Sequence, residues 1–470
     1  MSETPLQRLA RFAAGLRYES LPEDVRRSAR ERVLDTVGLC LAASPLDTSA
    51  MARRVARAWG GPAEATAIAF GDRLPASGAG FVNGTLAHSL DFDDTHLPSV
   101  LHPSASIVPG VLAAGEATGA GMHGMIAAAA AGYEVCIRTG MAAYDRKLGN
   151  SVFFERGWHA TSICGTLGVA VAAARLYGLG AEGIGHALGI AASMGSGIIE
   201  ANRAGGSVKR LHCGWAAHAG LIAAQCAREG LTGPASALEG RFGFYQAFCG
   251  GQFDERELTE GLGERFALPG IFYKPYPANH FTHAGIDAAL RLRSRLRVQD
   301  VAEIALGVAT PTLRTIAEPR EQKIRPQSGY HAQFSGPFTV AAALIGGGGL
   351  GVALADFSDE NARDPRYLEL AAKVKPYAEP ECDAIFPNQF PAVLRVRTHD
   401  GRELVEKVLE NRGGPGNPLS PEELTVKFLD NARRALPFVK AEELARAILD
   451  PADRPVQEIL CLATAGAAEG

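Results

Sequence analysis

The sequence predicts a mainly α protein: a large all-helical domain formed by both chain ends, with a smaller α+β domain inserted between them. Three observations carry this. Apolar residues recur at helical spacing from residue 21 to about Gly230, with no convincing alternating strand in that span. Near residue 265 the texture changes to Ile271-Phe-Tyr-Lys-Pro-Tyr-Pro277, followed at 301–308 and 392–398 by segments that alternate or run apolar like strands. From Pro421 amphipathic helix returns, with Leu424, Phe428, Leu429 and Ala432 at helical spacing. At 470 residues the chain exceeds the size at which one core usually stops growing. The expected boundaries are 1–267 for the first helical part, 268–410 for the inserted α+β domain, 411–460 for the helical return and 461–470 for a frayed tail.

The helices follow from local signals. Residues 21–43 open with Leu-Pro-Glu-Asp, with Pro22 at the first turn and acids where the helix dipole favours them. Val33, Leu34, Val37 and Leu41 then face a core. Residues 51–59 form another amphipathic helix, closed by Gly60-Gly61-Pro62. Residues 76–88 are a small-residue helix that lets neighbours approach closely. An Ala/Gly-rich run follows Pro109 to Gly132, then 133–141, and from His159 helix follows helix up to Gly230. In the inserted section a helix is expected over 282–295, and His399-Asp400-Gly401-Arg402 signals a hairpin turn before 403–409.

Two glycine runs fit the dinucleotide fingerprint: Gly178-Leu-Gly180-Ala-Glu-Gly183 and Gly346-Gly-Gly348-Gly-Leu-Gly351. That fingerprint works only between a strand and a helix. Both runs follow helical patterns, so they read as helix ends.

Composition excludes several classes. A net charge of −4 with no dominant Lys/Arg run argues against a nucleic-acid partner. The eight scattered cysteines contain no Cys-x-x-Cys pair and read as reduced thiols of a cytoplasmic protein, without grouping for an iron–sulfur cluster. The longest apolar runs, near 160–174 and 183–200, are broken by Thr, Ser, Gly and His, so buried helices rather than membrane spans are expected.

The densest chemistry lies in His88-Ser-Leu-Asp-Phe-Asp-Asp-Thr-His-Leu-Pro-Ser-Val-Leu-His102-Pro-Ser104, which carries three histidines and three carboxylates between two runs of buried-helix character. Asp91 and Thr95 are four apart, on one face if the turn is helical. Pro98 and Pro103 hold His102 on a loop. An ordinary surface loop is the plain alternative. Asp91, Asp93 and Asp94 also offer hard oxygen ligands for Mg²⁺ or Ca²⁺, although the spacing matches no EF-hand loop.

Elsewhere, polar groups stand out at His159 in Gly157-Trp-His, Lys209 in Val-Lys-Arg-Leu-His212, Lys274 in Lys-Pro-Tyr-Pro277 and Tyr330 in Ser328-Gly-Tyr-His. Singly, each reads as a structural histidine, a loop charge or a packed ring. Together with the dense stretch they suit a small substrate bearing several carboxylates. His102 and His159 would move protons next to a carboxylate, with Lys209 and Lys274 steadying developing charge. Asp91 would tune an imidazole by accepting its second proton. Thr95 and Tyr330 would position the substrate or leaving group.

Ser89-Leu-Asp-Phe-Asp-Asp-Thr95, Leu101-His-Pro-Ser104, Gly157-Trp-His159, Lys209-Arg-Leu-His212, Lys274-Pro-Tyr-Pro277 and Ala332-Gln-Phe-Ser335 resemble the signature blocks of the MmgE/PrpD family, in order, from about residue 5 to about residue 450. The family includes 2-methylcitrate dehydratase, cis-aconitate decarboxylase and iminodisuccinate epimerase. The resemblance implies a homodimer working without metal or cofactor on a small polycarboxylate, while the cysteines, charge and apolar runs give the expectation of a cytoplasmic protein with no membrane or nucleic-acid partner. It places catalytic roles on Asp91, His102 and His159 and substrate-binding roles on Thr95, Lys209, Lys274 and Tyr330.

Some positions depart from the decarboxylase branch. Asn279, with His280 beside it, stands where that branch has a histidine five after the lysine; the segment from Thr95 to His102 is one residue longer, and Gly336 replaces a leucine. Dehydration of a 2-methylcitrate-like acid is therefore the leading expectation, then epimerisation, then decarboxylation. A non-catalytic carboxylate-binding or scaffold protein is the alternative from another class.

Overall fold

The computed structural model describes residues 3–201 and 205–465. They form two compact units, Met1–Ile271 with Asn431–Gly470, and Phe272–Asp430. Mainly α architecture with one small α+β region is what the helical periodicity and the textural break predict.

In the first unit the helices Glu23–Ala43, Ala76–Ala87, Ser104–Thr118, Met122–Ala142, Ala160–Leu176 and His212–Arg228 build the body. Several are buried on every side, which is why their sequences are small and apolar all round rather than striped. Glycine sets how closely they cross. A Cβ on Gly84 would lie 2.6 Å from the Cys213 carbonyl oxygen, and one on Gly168 would lie 2.5 Å from the Gly132 carbonyl oxygen. The first crossing fixes the helix that delivers His88 against the one that begins at His212. Gly84→Ala gains about 1 kcal/mol of helix propensity but drives a methyl into backbone that cannot yield, at about 1–3 kcal/mol. A net loss of stability is expected in denaturant titration, and an equal or higher midpoint would show that the crossing has slack.

The C-terminal helices Phe438–Leu449 and Val456–Leu462 join the same body. Met122 N donates to the Arg454 carbonyl at 2.8 Å and Val456 N to the Ala120 carbonyl at 3.0 Å. The expected frayed tail needs correction. Cys461 and Leu462 end a helix, Ala69 N donates to the Ala463 carbonyl at 2.9 Å, and Ala465 N donates to the Ala69 carbonyl at 3.2 Å. Residues 466–470 lie outside the described residues.

Three further details differ. Pro109 lies inside the helix Ser104–Thr118 rather than before a helix. Two-residue strand pairs, 65–66 with 73–74 and 144–145 with 150–151, sit in the helical span, too short to give alternation. The return to the first unit comes at Asn431, later than residue 411. The intervening stretch is tied to the second unit: Asn411 Nδ2 donates to the Phe390 carbonyl at 3.1 Å and Tyr273 N to the Gly413 carbonyl at 2.9 Å.

The second unit is a four-stranded sheet in the order Val374–Ala378, Val301–Val308, Ala392–Thr398, Glu403–Val408, with the first pair parallel and the others antiparallel. Ile304, Leu306, Leu394 and Val396 from the sheet share a core with Ile286 of the helix His283–Arg293 and Phe338 and Val340 of the helix Gly336–Ile345. Neither glycine run joins a strand to a helix. Gly178 is left-handed at φ +78 just after the helix Ala160–Leu176, and the second run follows the helix Gly336–Ile345. Among the described residues no helix is long and apolar enough to cross a membrane.

Candidate active site

The helix Ala76–Ala87 ends at His88, and the chain then runs irregularly to Pro103, where the helix Ser104–Thr118 begins. Asp91 leaves the helical region at φ +52, so Asp91 and Thr95 do not share a helical face, and the expectation built on their spacing is corrected. A short polar side chain tolerates that conformation. Val100 does not, yet it sits at φ +55 two residues before His102. The loop around it is closed by His96 N donating to the Leu101 carbonyl at 2.8 Å and Leu101 N to the His96 carbonyl at 3.3 Å. Such strain persists only where the surroundings over-determine it.

The three carboxylates diverge to three separate partners. Asp91 Oδ1 accepts from Lys209 Nζ at 3.2 Å. Asp93 Oδ2 lies 2.7 Å from His88 Nδ1 and 3.9 Å from His102 Nδ1. Asp94 accepts from Arg32 Nη1 at 3.1 Å and Ser104 N at 3.2 Å, and also from Ser104 Oγ. They do not converge on one cation; among the described residues no three His, Cys, Asp or Glu side chains are grouped to hold a metal ion. The carboxylate set on an imidazole Nδ1 is Asp93, which the sequence offers only as a possible cation ligand, while Asp91 faces the lysine.

Burial pushes the Asp94 carboxyl up to about 6, against the pull of Arg32 and Ser104. The Asp94 backbone carbonyl also orients an imidazole, lying 2.6 Å from His102 Nδ1. A carbonyl can only accept, so Nδ1 carries the proton and the basic atom of neutral His102 is Nε2. Thr95 Oγ1 is 3.3 Å from the same Nδ1, and the Thr161 hydroxyl accepts from His102 N at 3.1 Å. The His102 side chain keeps 15% exposure, whereas His88 and His159 are buried.

Four imidazoles run in a row. The ring centroids of His102 and His88 are 5.5 Å apart, those of His88 and His159 5.5 Å, and those of His159 and His212 4.9 Å. His159 stands just before the helix Ala160–Leu176 without capping it through its side chain, and His212 opens the helix His212–Arg228. Their Nδ1 atoms meet at 2.9 Å. Burial first, then the neighbouring imidazoles and Lys209, hold His159 well below the usual histidine range. Burial, His88 and Lys209 take His212 down to about 4. The structure thus brings Asp91 to Lys209, Thr95 to His102, and His159 into the imidazole row. His88 and His212 lie beside or within the family-like motifs, but nothing in their spacing announces a ring-to-ring row.

Lys274 and Tyr330 belong to the second unit. The Lys274 segment is buried and held by its neighbours: Tyr276 Oη donates to Asp287 Oδ1 at 2.6 Å and accepts from Arg412 Nη1 at 2.8 Å. Asn279 Oδ1 accepts from Phe281 N at 3.1 Å, so this side chain caps the turn His280–Thr282. His280 packs edge-on against Phe272 and Phe390, at 5.9 and 5.3 Å between ring centroids. Tyr330 lies in the short helix Gly329–Ala332, its ring 5.3 Å from that of Phe334.

Comparison with known proteins adds an independent line. The chain is 26% identical over 461 residues to the cis-aconitate decarboxylase of Aspergillus terreus (strain NIH 2624 / FGSC A1156), covering 94% of this chain and 92% of that one. It is 29% identical over 446 residues to the cis-aconitate decarboxylase of Homo sapiens, covering 92% and 89%, and 28% identical over 446 residues to that of Mus musculus, covering 93% and 88%. Residues 7–256 match the model of the MmgE/PrpD N-terminal domain and residues 276–450 that of the MmgE/PrpD C-terminal domain. With both domain models matched in order over most of its length, the chain belongs to the MmgE/PrpD family and is a lyase of that type.

Proposed function

We propose that the chain acts on a small di- or tricarboxylate by moving a proton at carbon next to a carboxylate, and that the reaction is loss of CO₂ from an unsaturated acid of the cis-aconitate type. The observation that carries the proton-transfer reading is His102. Its Nδ1 proton is committed to the Asp94 carbonyl, and Asp93 lies close enough to favour the imidazolium once Nε2 is loaded. The full-length likeness to cis-aconitate decarboxylases moves decarboxylation ahead of dehydration. In that reaction CO₂ leaves a CH₂ carbon, its electron pair becomes a new double bond, and the far carbon of the old double bond takes a proton. His102 or His159 supplies that proton, and Lys209 holds a carboxylate. Thr95, Lys274 and Tyr330 are substrate-binding residues on the family resemblance, which also supports a homodimer, while the scattered cysteines support a cytoplasmic location.

Dehydration of a 2-methylcitrate-like hydroxy acid is the second reading, favoured by Asn279, whose side chain is committed to capping backbone. Incubation with candidate acids in deuterated water, followed by NMR, separates the readings. Decarboxylation is expected to release CO₂ and leave one deuterium on the product. Loss of hydroxyl without CO₂ would replace it with dehydration, and exchange alone would point to epimerisation. Inertness towards all such acids would remove the proposal.

A further inference from the structure

Two imidazoles facing each other Nδ1 to Nδ1 at 2.9 Å impose a constraint. Two lone pairs there would repel and two N–H groups would collide, so the pair holds one proton between those atoms. The pair is therefore asymmetric: one Nε2 carries a hydrogen and the other a lone pair. Backbone holds the geometry. His159 N donates to the Gly197 carbonyl at 2.9 Å, and Ser162 Oγ donates to the His212 carbonyl at 3.1 Å. Packing alone would be served by two apolar rings; burying two imidazoles in mutual hydrogen bonding asks for another reason.

We infer that His212 is a positioning residue that receives the Nδ1 proton of His159 whenever His159 takes a proton at Nε2. This rests on the proposed role of His159 in proton transfer. In the resting pair His159 donates Nδ1–H to His212 Nδ1, and His212 carries its own hydrogen on Nε2. A proton arriving at His159 Nε2 forms one N–H bond there, while the His159 Nδ1–H bond breaks and a His212 Nδ1–H bond forms. His159 stays neutral, and His212 becomes the imidazolium. Delivery to substrate carbon is the reverse: His159 Nε2–H leaves, and His212 returns its Nδ1 proton. The groups facing the pair are His88, His102 and Lys209, with Asp93 on His88 and Asp91 on Lys209. Burial and the positive neighbours both oppose charge on His159, which is what passing the proton onward avoids.

Two measurements test this. In wild-type protein labelled with ¹⁵N-histidine, at neutral pH, the pair is expected to show one pyrrole-type and one pyridine-type Nδ1, identified by the coupling between the two nitrogens across their shared hydrogen bond. Two pyrrole-type signals, or a charged pair, would overturn the inference whatever the protein turns over, and this readout decides the matter even if the variant does not fold or no acid is consumed. In H212N an amide oxygen can still accept from His159 Nδ1 but cannot take its proton. With the acid identified by the deuterium experiment, kcat is expected to fall about 10²-fold with KM within about twofold, and the alkaline limb of the kcat profile to move to lower pH. A folded H212N with wild-type kcat and pH profile would reduce His212 to packing.

Discussion

Replacing His102 by alanine is expected to lower kcat by about 10²- to 10⁴-fold, the usual contribution of a positioned acid–base group. The hydrogen bond from Nδ1 to the Asp94 carbonyl fixes which nitrogen does the work, so the loss should be chemical rather than structural. The sharper variant is H102N. Its amide N–H can still donate to the Asp94 carbonyl, preserving the loop, but it has no Nε2 to load. It should melt like the wild type and be as inactive as H102A, with KM changed only a few-fold because substrate carboxylates are held elsewhere. Retention of a tenth or more of wild-type kcat by H102N would assign the proton transfer to another group, with His159 the next candidate.

What the sequence made legible was the part written in local pattern. The helical body, the strands Val301–Val308 and Ala392–Thr398 and the hairpin leading to Glu403–Val408 follow from periodicity and turn residues. The strand Val374–Ala378 escaped because Pro376 argues against a strand interior; it is tolerated since this strand lies at the sheet edge. The candidate site was legible as a density of proton-moving groups, but not as an arrangement. Asp91, Asp93 and Asp94 look alike along the chain, and only the fold sends one to Lys209, one to His88 and one to Arg32.

The missed residues share one cause. His88 opens the dense stretch and His212 closes a family-like block, yet neither is given a role by the sequence, because their significance lies in a neighbour far away in the chain: His159 for both. Arg32 was hidden more thoroughly. It lies within a helical pattern where an arginine reads as solvent-facing, yet its side chain is 1% exposed. Pairwise geometry of this kind has no single-sequence signature.

That buried arginine makes the second large effect one of stability. Arg32 and Asp94 are each 1% exposed and paired at 3.1 Å, and Arg32 also donates to the Ile271 carbonyl at 2.5 Å. D94N keeps the size of the side chain, removes its charge and leaves the guanidinium short of its counter-ion. Breaking such a pair from one side costs about 3–5 kcal/mol. The pH dependence gives the test its sign. The folded carboxyl is raised to about 6 from an ordinary 3.8, so the stability linked to its protonation is complete below 3.8 and lost as pH rises through about 6. As pH falls below 6 the folded wild type takes up a proton that the unfolded chain still lacks and gains stability, a gain D94N cannot share, so its deficit must widen. Calorimetric melting at about pH 7.5 and about pH 5 is therefore expected to show a deficit for D94N at the higher pH and a larger one at the lower. Because the Asp94 carbonyl also holds His102, kcat should fall with it, through a displaced Nδ1 partner rather than a lost base. A variant as stable as the wild type at the higher pH, or a deficit that shrinks in acid, would mean that this pair does not anchor the loop.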